Sequence, residues 1–179
     1  MNPLHTIAIA FLMAGTSLSA QQPATAPLAH THTEFEFTAN ARLEQVAPLF
    51  GANEERKWSP DWNPQFVYPQ PAKDQPGVVF KVAHGQFSSV WVNTAFDLAG
   101  GHIQYAYVLN DAMVTLIDIH LARLHGHATA VAVSYERTAL VPEANEHVQQ
   151  FAQKDAQAGK EWEQQINGYL AKAAATPTK

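Results

Sequence analysis

The feature that most restricts this chain is its last regular segment, from Pro142 to about Lys172. Val148, Phe151, Ala152, Ala158, Trp162, Ile166, Tyr169 and Leu170 recur there at steps of three and four, the period of one helical face. Pro142 suits a first helical turn, Glu143 and Glu146 suit the positive N-terminal end of the helix dipole, and Lys172 suits the other end. A long amphipathic helix must lay its apolar stripe on something. The stretch from Thr33 to Leu140 reads as the sheet that receives it.

That stretch opens with a strand, Thr33 to Thr38, in which Phe35 and Phe37 alternate with Glu34 and Glu36. Ala41 to Phe50 changes to helical spacing, with Pro48 shortening or kinking it, and Glu54 to Trp58 forms a second short turn of helix. Three prolines then divide a run holding Trp58, Trp62, Phe66 and Tyr68, so that only Gln65 to Tyr68 can pair, as an edge strand. Trp58 and Trp62 have two readings, as the rim of a ligand cavity or as the plug at the end of a core. Five strands follow with short connections: Val78 to His84, Ser88 to Asp97, His102 to Leu109, Ala112 to Leu121 and His127 to Leu140. Turns this short exclude helical crossovers and leave an antiparallel meander. With Phe35 and Val67 counted in, the expectation is an α+β fold of about seven curved strands wrapped on one C-terminal helix, with two short helices after strand 1.

The ends divide differently. Ile7 to Leu18 is apolar but too short to span a bilayer, and it leads through Ser19 and Ala20 to Gln21 and Gln22, the pattern of a signal peptide over residues 1–20. Without Lys or Arg before the apolar run, the alternative is a disordered or membrane-associated N-terminus. Residues 21–32 read as a flexible leader, 33–172 as one domain and 173–179 as a disordered tail. The expectation is a periplasmic or secreted protein. No cysteine is present, so neither a lipid-anchoring Cys nor a disulfide is available. Eleven Lys and Arg against sixteen Asp and Glu, with no basic cluster, argue against a nucleic-acid partner.

The order of elements, with Trp58-Ser-Pro-Asp-Trp-Asn-Pro, Val67-Tyr68-Pro69, Val90-Trp91-Val92, Ser134-Tyr135-Glu136-Arg137-Thr138-Ala139-Leu140 and Glu161-Trp162-Glu163, resembles the START-like superfamily. This superfamily is also called SRPBCC, helix-grip or Bet v 1-like, and the nearest likeness is to its small bacterial polyketide cyclase/dehydrase-like proteins. The resemblance implies a cavity between the concave sheet and the C-terminal helix. It does not choose a function, because such folds host carriers and enzymes alike.

Taking the more apolar set of each strand as inward gives Val90, Val92, Thr94 and Phe96, then Ile103, Tyr105, Tyr107 and Leu109. Met113, Thr115, Ile117, Ile119 and Leu121 follow, then Val131, Val133, Tyr135 and Arg137. The candidate ligand-binding set drawn from these is Val92, Phe96, Tyr105, Tyr107, Ile117, Ile119, Val133, Tyr135 and Arg137, joined by Asp155 and Trp162 from the helix. Such a lining suits a hydrophobic small molecule or lipid; a filled interior is the alternative. Arg137 on an apolar line needs either Asp155 as a partner or the carboxylate of a ligand. Asp118, His120, His125 and His127 lie close in sequence but match no metal motif, and no metal or cofactor is expected. Two classes of function remain, an exported carrier or sensor, expected to be monomeric, and a cyclase- or hydrolase-like enzyme with unknown catalytic residues. An acidic group in the cavity within reach of a tyrosine would favour the enzyme.

Overall fold

The computed structural model describes residues 26–175, apart from the side chains at positions 84 and 156. The signal-peptide reading of residues 1–20 and the tail from 176 onward lie outside them. Seven strands form one antiparallel sheet: β1 (His30–Ala39), β2 (Gln65–Tyr68), β3 (Val79–His84), β4 (Phe87–Asp97), β5 (His102–Leu109), β6 (Met113–Arg123) and β7 (Thr129–Ala139). Their order across the sheet is β1-β7-β6-β5-β4-β3-β2, a meander whose first strand returns beside the last. Between β1 and β2 lie the short helix α1 (Leu43–Val46) and two 3-10 turns, Ala47–Phe50 and Glu54–Lys57. Pro48 falls in the first of these turns and keeps it from continuing α1. After a 3-10 turn at Pro142–Ala144, α2 (Asn145–Ala175) crosses the concave face. β1 begins at His30, so His30 to His32 belong to the sheet rather than to a leader, and α2 continues three residues past Lys172. Among the described residues no helix is long and apolar enough to cross a membrane.

The seat of α2 is set at three points. At its start, the Asn145 side chain accepts from the Ala29 amide (2.7 Å) and donates to the Pro27 carbonyl (3.0 Å). Near its end, Asn167 accepts from the Asn40 amide (2.7 Å) and donates to the Thr38 carbonyl (2.9 Å). The twenty-two residues between these asparagines rise about 33 Å as helix, and the eleven between Ala29 and Asn40 extend about 36 Å as strand, so the two elements match in length. Midway, Gly159 lets the helix backbone close on Phe35, whose ring atoms would stand 3.0 to 3.2 Å from an added Cβ. Val148 and Ile166 are fully buried to either side, which sets the phase of the apolar stripe. Trp162 is half-buried and meets Phe35, Trp58 and Phe50 at ring-centroid distances of 5.5, 5.4 and 6.1 Å.

One strand departs from the expected facing. On β4 the inward residues are Ser89, Trp91 and Asn93, while Val90 is exposed and Val92 lies half-buried on the other face. The apolar count misled here, because two of the inward positions are polar and valines occupy the outer face. A register shift between Asn93 and Ala95 then turns Phe96 back toward the core, opposite Ile103.

The close seat makes a paired prediction. Gly159→Val forces atoms into Phe35 and should cost about 1 to 3 kcal/mol, whereas Gly168→Ala, with open space around it, should gain about 0.5 to 1 kcal/mol from helix propensity. Urea titration of both variants checks this, and equal effects would mean that α2 does not sit on β1 at Gly159.

Candidate functional site

α2 lies chiefly along β1, with a lesser contact to β7, and so leaves the middle of the concave face uncovered. The short helices and the Trp58–Trp62 loop close that gap incompletely. What remains is a cavity of about 230 Å³. Trp91, Tyr105 and Tyr107 form one wall, with Trp91 stacked on Tyr107 at 4.2 Å, and Ile117, Ile119, Tyr135 and Arg137 form the floor. Phe80 and Trp62 close one side, while Phe50, Phe151 and Trp162 close the side facing the helix. Phe151 also belongs to the wall of a second, shallower hollow bounded by Phe87, Leu109 and Val141.

Of the residues proposed from sequence, Tyr105, Tyr107, Ile117, Ile119, Tyr135, Arg137, Trp162 and Trp62 come together on these walls. Val133 is buried in the core opposite Phe35, Val92 points to the other face, and Phe96 packs on the core away from the cavity. The two tryptophans of the loop divide their roles. Trp58 is a core plug that donates its indole N–H to the Leu49 carbonyl (2.7 Å), and Trp62 is a cavity wall that donates to the Ala52 carbonyl (2.7 Å).

Arg137 and Asp155 form a buried, two-pronged ion pair: Nη1 meets Oδ2 and Nη2 meets Oδ1 at 3.1 Å. Thr33 Oγ1 donates to the same carboxylate at 2.7 Å, and the guanidinium lies over Tyr135 (4.3 Å) and Phe151 (5.5 Å). Its charge is therefore compensated by the protein's own carboxylate. Asp155 stands behind Arg137 rather than on the cavity wall, and the reading of Arg137 as the seat of a ligand carboxylate gives way to an ion pair. The Nε atom of Arg137 is buried and keeps no hydrogen-bond partner among the described residues.

The residue that sequence reasoning missed is Glu55. It stands in the 3-10 turn Glu54–Lys57 and its carboxyl forms part of the cavity wall. The residue as a whole is half-buried, and its carboxyl lies deep in the protein. Burial, with the nearby Asp74 carboxylate adding to it, pushes its pKa up to about 8 from an ordinary 4.5. Asp74 also holds the segment in place by accepting from the amides of Asn53 (2.9 Å) and Glu54 (3.3 Å). A signal was present in the sequence. Ala52 and Trp58, both buried, lie three residues to either side of Glu55, which is the period of a 3-10 turn. The surrounding Glu54, Arg56 and Lys57 concealed it as a run of charge.

Burial also raises the phenols of Tyr105 and Tyr135 far above their ordinary range. The Tyr105 hydroxyl donates to the Phe50 carbonyl at 2.8 Å and so is engaged in holding the wall. On the outer face of the sheet, His102 and His120 stack at 4.7 Å and flank Asp118, at 2.7 and 3.3 Å. His102, distant in sequence, thus joins Asp118 and His120, whereas His127, close to them in sequence, accepts from the Arg42 guanidinium (3.0 Å).

Comparison with known structures places this architecture. Norcoclaurine synthase from Thalictrum flavum superposes with a TM-score of 0.61 at 11% identity, over 90% of this chain and 99% of that one. A structure of that enzyme with dopamine and hydroxybenzaldehyde gives 0.62 at 10% identity, over 96% and 100%. The chain shares the helix-grip fold of this enzyme. Ara h 8.0201 shares it (TM-score 0.57, 17% identity, 80% and 99% coverage), as does an uncharacterised protein from Rhizobium leguminosarum (0.57, 12%, 82% and 97%). No protein-family model and no curated protein sequence matches the chain.

Two predictions follow from the buried charges. Arg137→Met leaves Asp155 buried and unpaired and should cost about 3 to 5 kcal/mol in urea titration at pH 7; a loss under about 1 kcal/mol would mean that the pair is solvated. Glu55 is protonated more readily when folded than when unfolded, so its contribution to stability is full below its unfolded pKa of 4.5 and is lost as pH rises through about 8. Glu55→Gln should therefore change stability little near pH 4 and raise it by on the order of 4 kcal/mol at pH 9, read from thermal unfolding across that range.

Proposed function

We propose that this protein binds one compact hydrophobic molecule in the cavity between its sheet and α2, as an exported carrier or sensor. The observation that carries this is the cavity itself: a hollow of about 230 Å³ walled by Phe50, Trp62, Phe80, Trp91, Tyr107 and Trp162, in which a largely apolar surface is left unfilled by side chains. Its size narrows the occupant. Sites for drug-sized ligands run roughly 300 to 1,000 Å³, and this one holds the volume of roughly eight waters. A one- or two-ring aromatic fits that space better than a long-chain lipid. The dopamine and hydroxybenzaldehyde held by norcoclaurine synthase are of this compact aromatic kind.

Binding is preferred to catalysis for a geometric reason. An acidic group does stand in the cavity, but the Tyr105 hydroxyl is engaged with Phe50, and no hydrogen bond joins Glu55 to a tyrosine among the described residues. The acid lacks the partner that would relay a proton to or from a substrate. Export rests on the apolar run Ile7 to Leu18 and the small residues that follow it.

One purification tests both parts. The intact mass of the protein made in its native host should place the N-terminus near Gln21, and denaturing extraction should release a compact aromatic or alicyclic molecule. Stripped protein should then take up naphthalene saturably, with a change in tryptophan fluorescence, and palmitate weakly or not at all. An intact Met1 form would overturn export. Failure of any hydrophobic probe to bind would overturn the carrier reading.

A further inference from the structure

Given that reading of the cavity, we propose that its occupant is a cation: a quaternary ammonium or protonated amine with an apolar or aromatic body, its charge seated against the Glu55 carboxylate and the surrounding aromatic rings. Among the described residues, Glu55 is the one carboxyl or basic group on the cavity wall without a countercharge. Arg137, the other, is neutralised by Asp155, whose carboxylate also accepts from the Thr33 hydroxyl. A neutral hydrocarbon would leave the Glu55 carboxyl buried without a partner, which is costly. An anion would face it directly, and Asp155 already occupies the guanidinium that might have offset the repulsion. A cation improves both conditions. It pairs with the carboxylate inside a hollow walled by aromatic side chains, Trp62 and Trp162 among them, and aromatic surroundings are where proteins hold ammonium groups.

The surrounding groups favour the same sign of charge. From the loop before β3, Asp74 adds a second negative charge near Glu55. From β5 and β7, Tyr105 and Tyr135 present phenols that burial keeps neutral, and Tyr107 presents its ring, stacked on Trp91. Arg137, also on β7, is the sole positive group on the wall among the described residues, and it is paired. Binding of a cation therefore depends on ionisation of Glu55, which is incomplete at neutral pH, so affinity rises as pH passes through about 8.

The test uses two probes of the same shape. Benzyltrimethylammonium carries a fixed charge that does not titrate, and neopentylbenzene replaces its nitrogen with carbon. Both are titrated calorimetrically into the purified protein and into Glu55→Gln, at pH 6 and pH 9. The expected result is that the preference of the wild type for the cation over the hydrocarbon grows ten- to hundredfold, by about that range, from pH 6 to pH 9. Glu55→Gln should abolish that growth. If neopentylbenzene binds but the cation shows no pH dependence, or binds Glu55→Gln equally well, the cation proposal is overturned and the cavity reading stands. If neither probe binds, the cavity reading itself falls. The pH series on the wild type decides the matter even if the variant folds poorly.

Discussion

A single α-helix is about 10 to 12 Å across, whereas seven strands at a spacing of about 4.8 Å spread over about 29 Å. α2 can therefore cover only part of the sheet, and it covers the part nearest β1, to whose two ends it is fastened by Asn145 and Asn167. Everything else about the interior follows from the uncovered remainder. The chain closes it with large aromatic side chains, Phe50, Trp58 and Trp62, carried on short turns and a proline-divided loop. Rings on irregular backbone do not tile a curved surface without gaps, and the gap that remains is the cavity.

Much of this was legible in the sequence where one physical rule acts alone. The inward sets of β5, β6 and β7 follow strict alternation, since those strands lie in the middle of the sheet and every second residue must leave water. Arg137 on such a line pointed to Asp155 across the helix interface. Reading failed where two rules compete. On β4, Ser89 and Asn93 take inward places beside Trp91, so counting apolar residues chose the wrong face, and the bulge before Phe96 reversed the phase again. Glu55 was hidden for a similar reason. Three charged neighbours set the local composition, while its own direction is set by a 3-10 period that only Ala52 and Trp58 report. The Asp118 cluster required the register of β5 against β6, which brings His102 opposite His120 and which sequence proximity does not show.

The electrostatics of the interior divide into a closed and an open part. Arg137, Asp155 and Thr33 form a closed set, in which charge meets charge with the hydroxyl completing it, and whose role is to fasten β1, β7 and α2 together. Glu55 is the open part: an acid presented to an apolar hollow by a turn that Asp74 clamps through backbone amides. Folding tolerates it by keeping the proton, at the cost of stability at alkaline pH. A buried acid with no internal partner is what a binding site retains and a purely structural core tends to replace, because an apolar residue there would be more stable.

The central claim is that the Glu55 carboxyl faces the cavity between the sheet and α2 rather than open solvent. Its direct measure is the titration of the Glu55 side-chain carboxyl by ¹³C NMR in glutamate-labelled protein, with Glu55→Gln identifying the resonance. The structure predicts a midpoint near 8. A midpoint at the ordinary value near 4.5 would place that carboxyl in water and contradict the account.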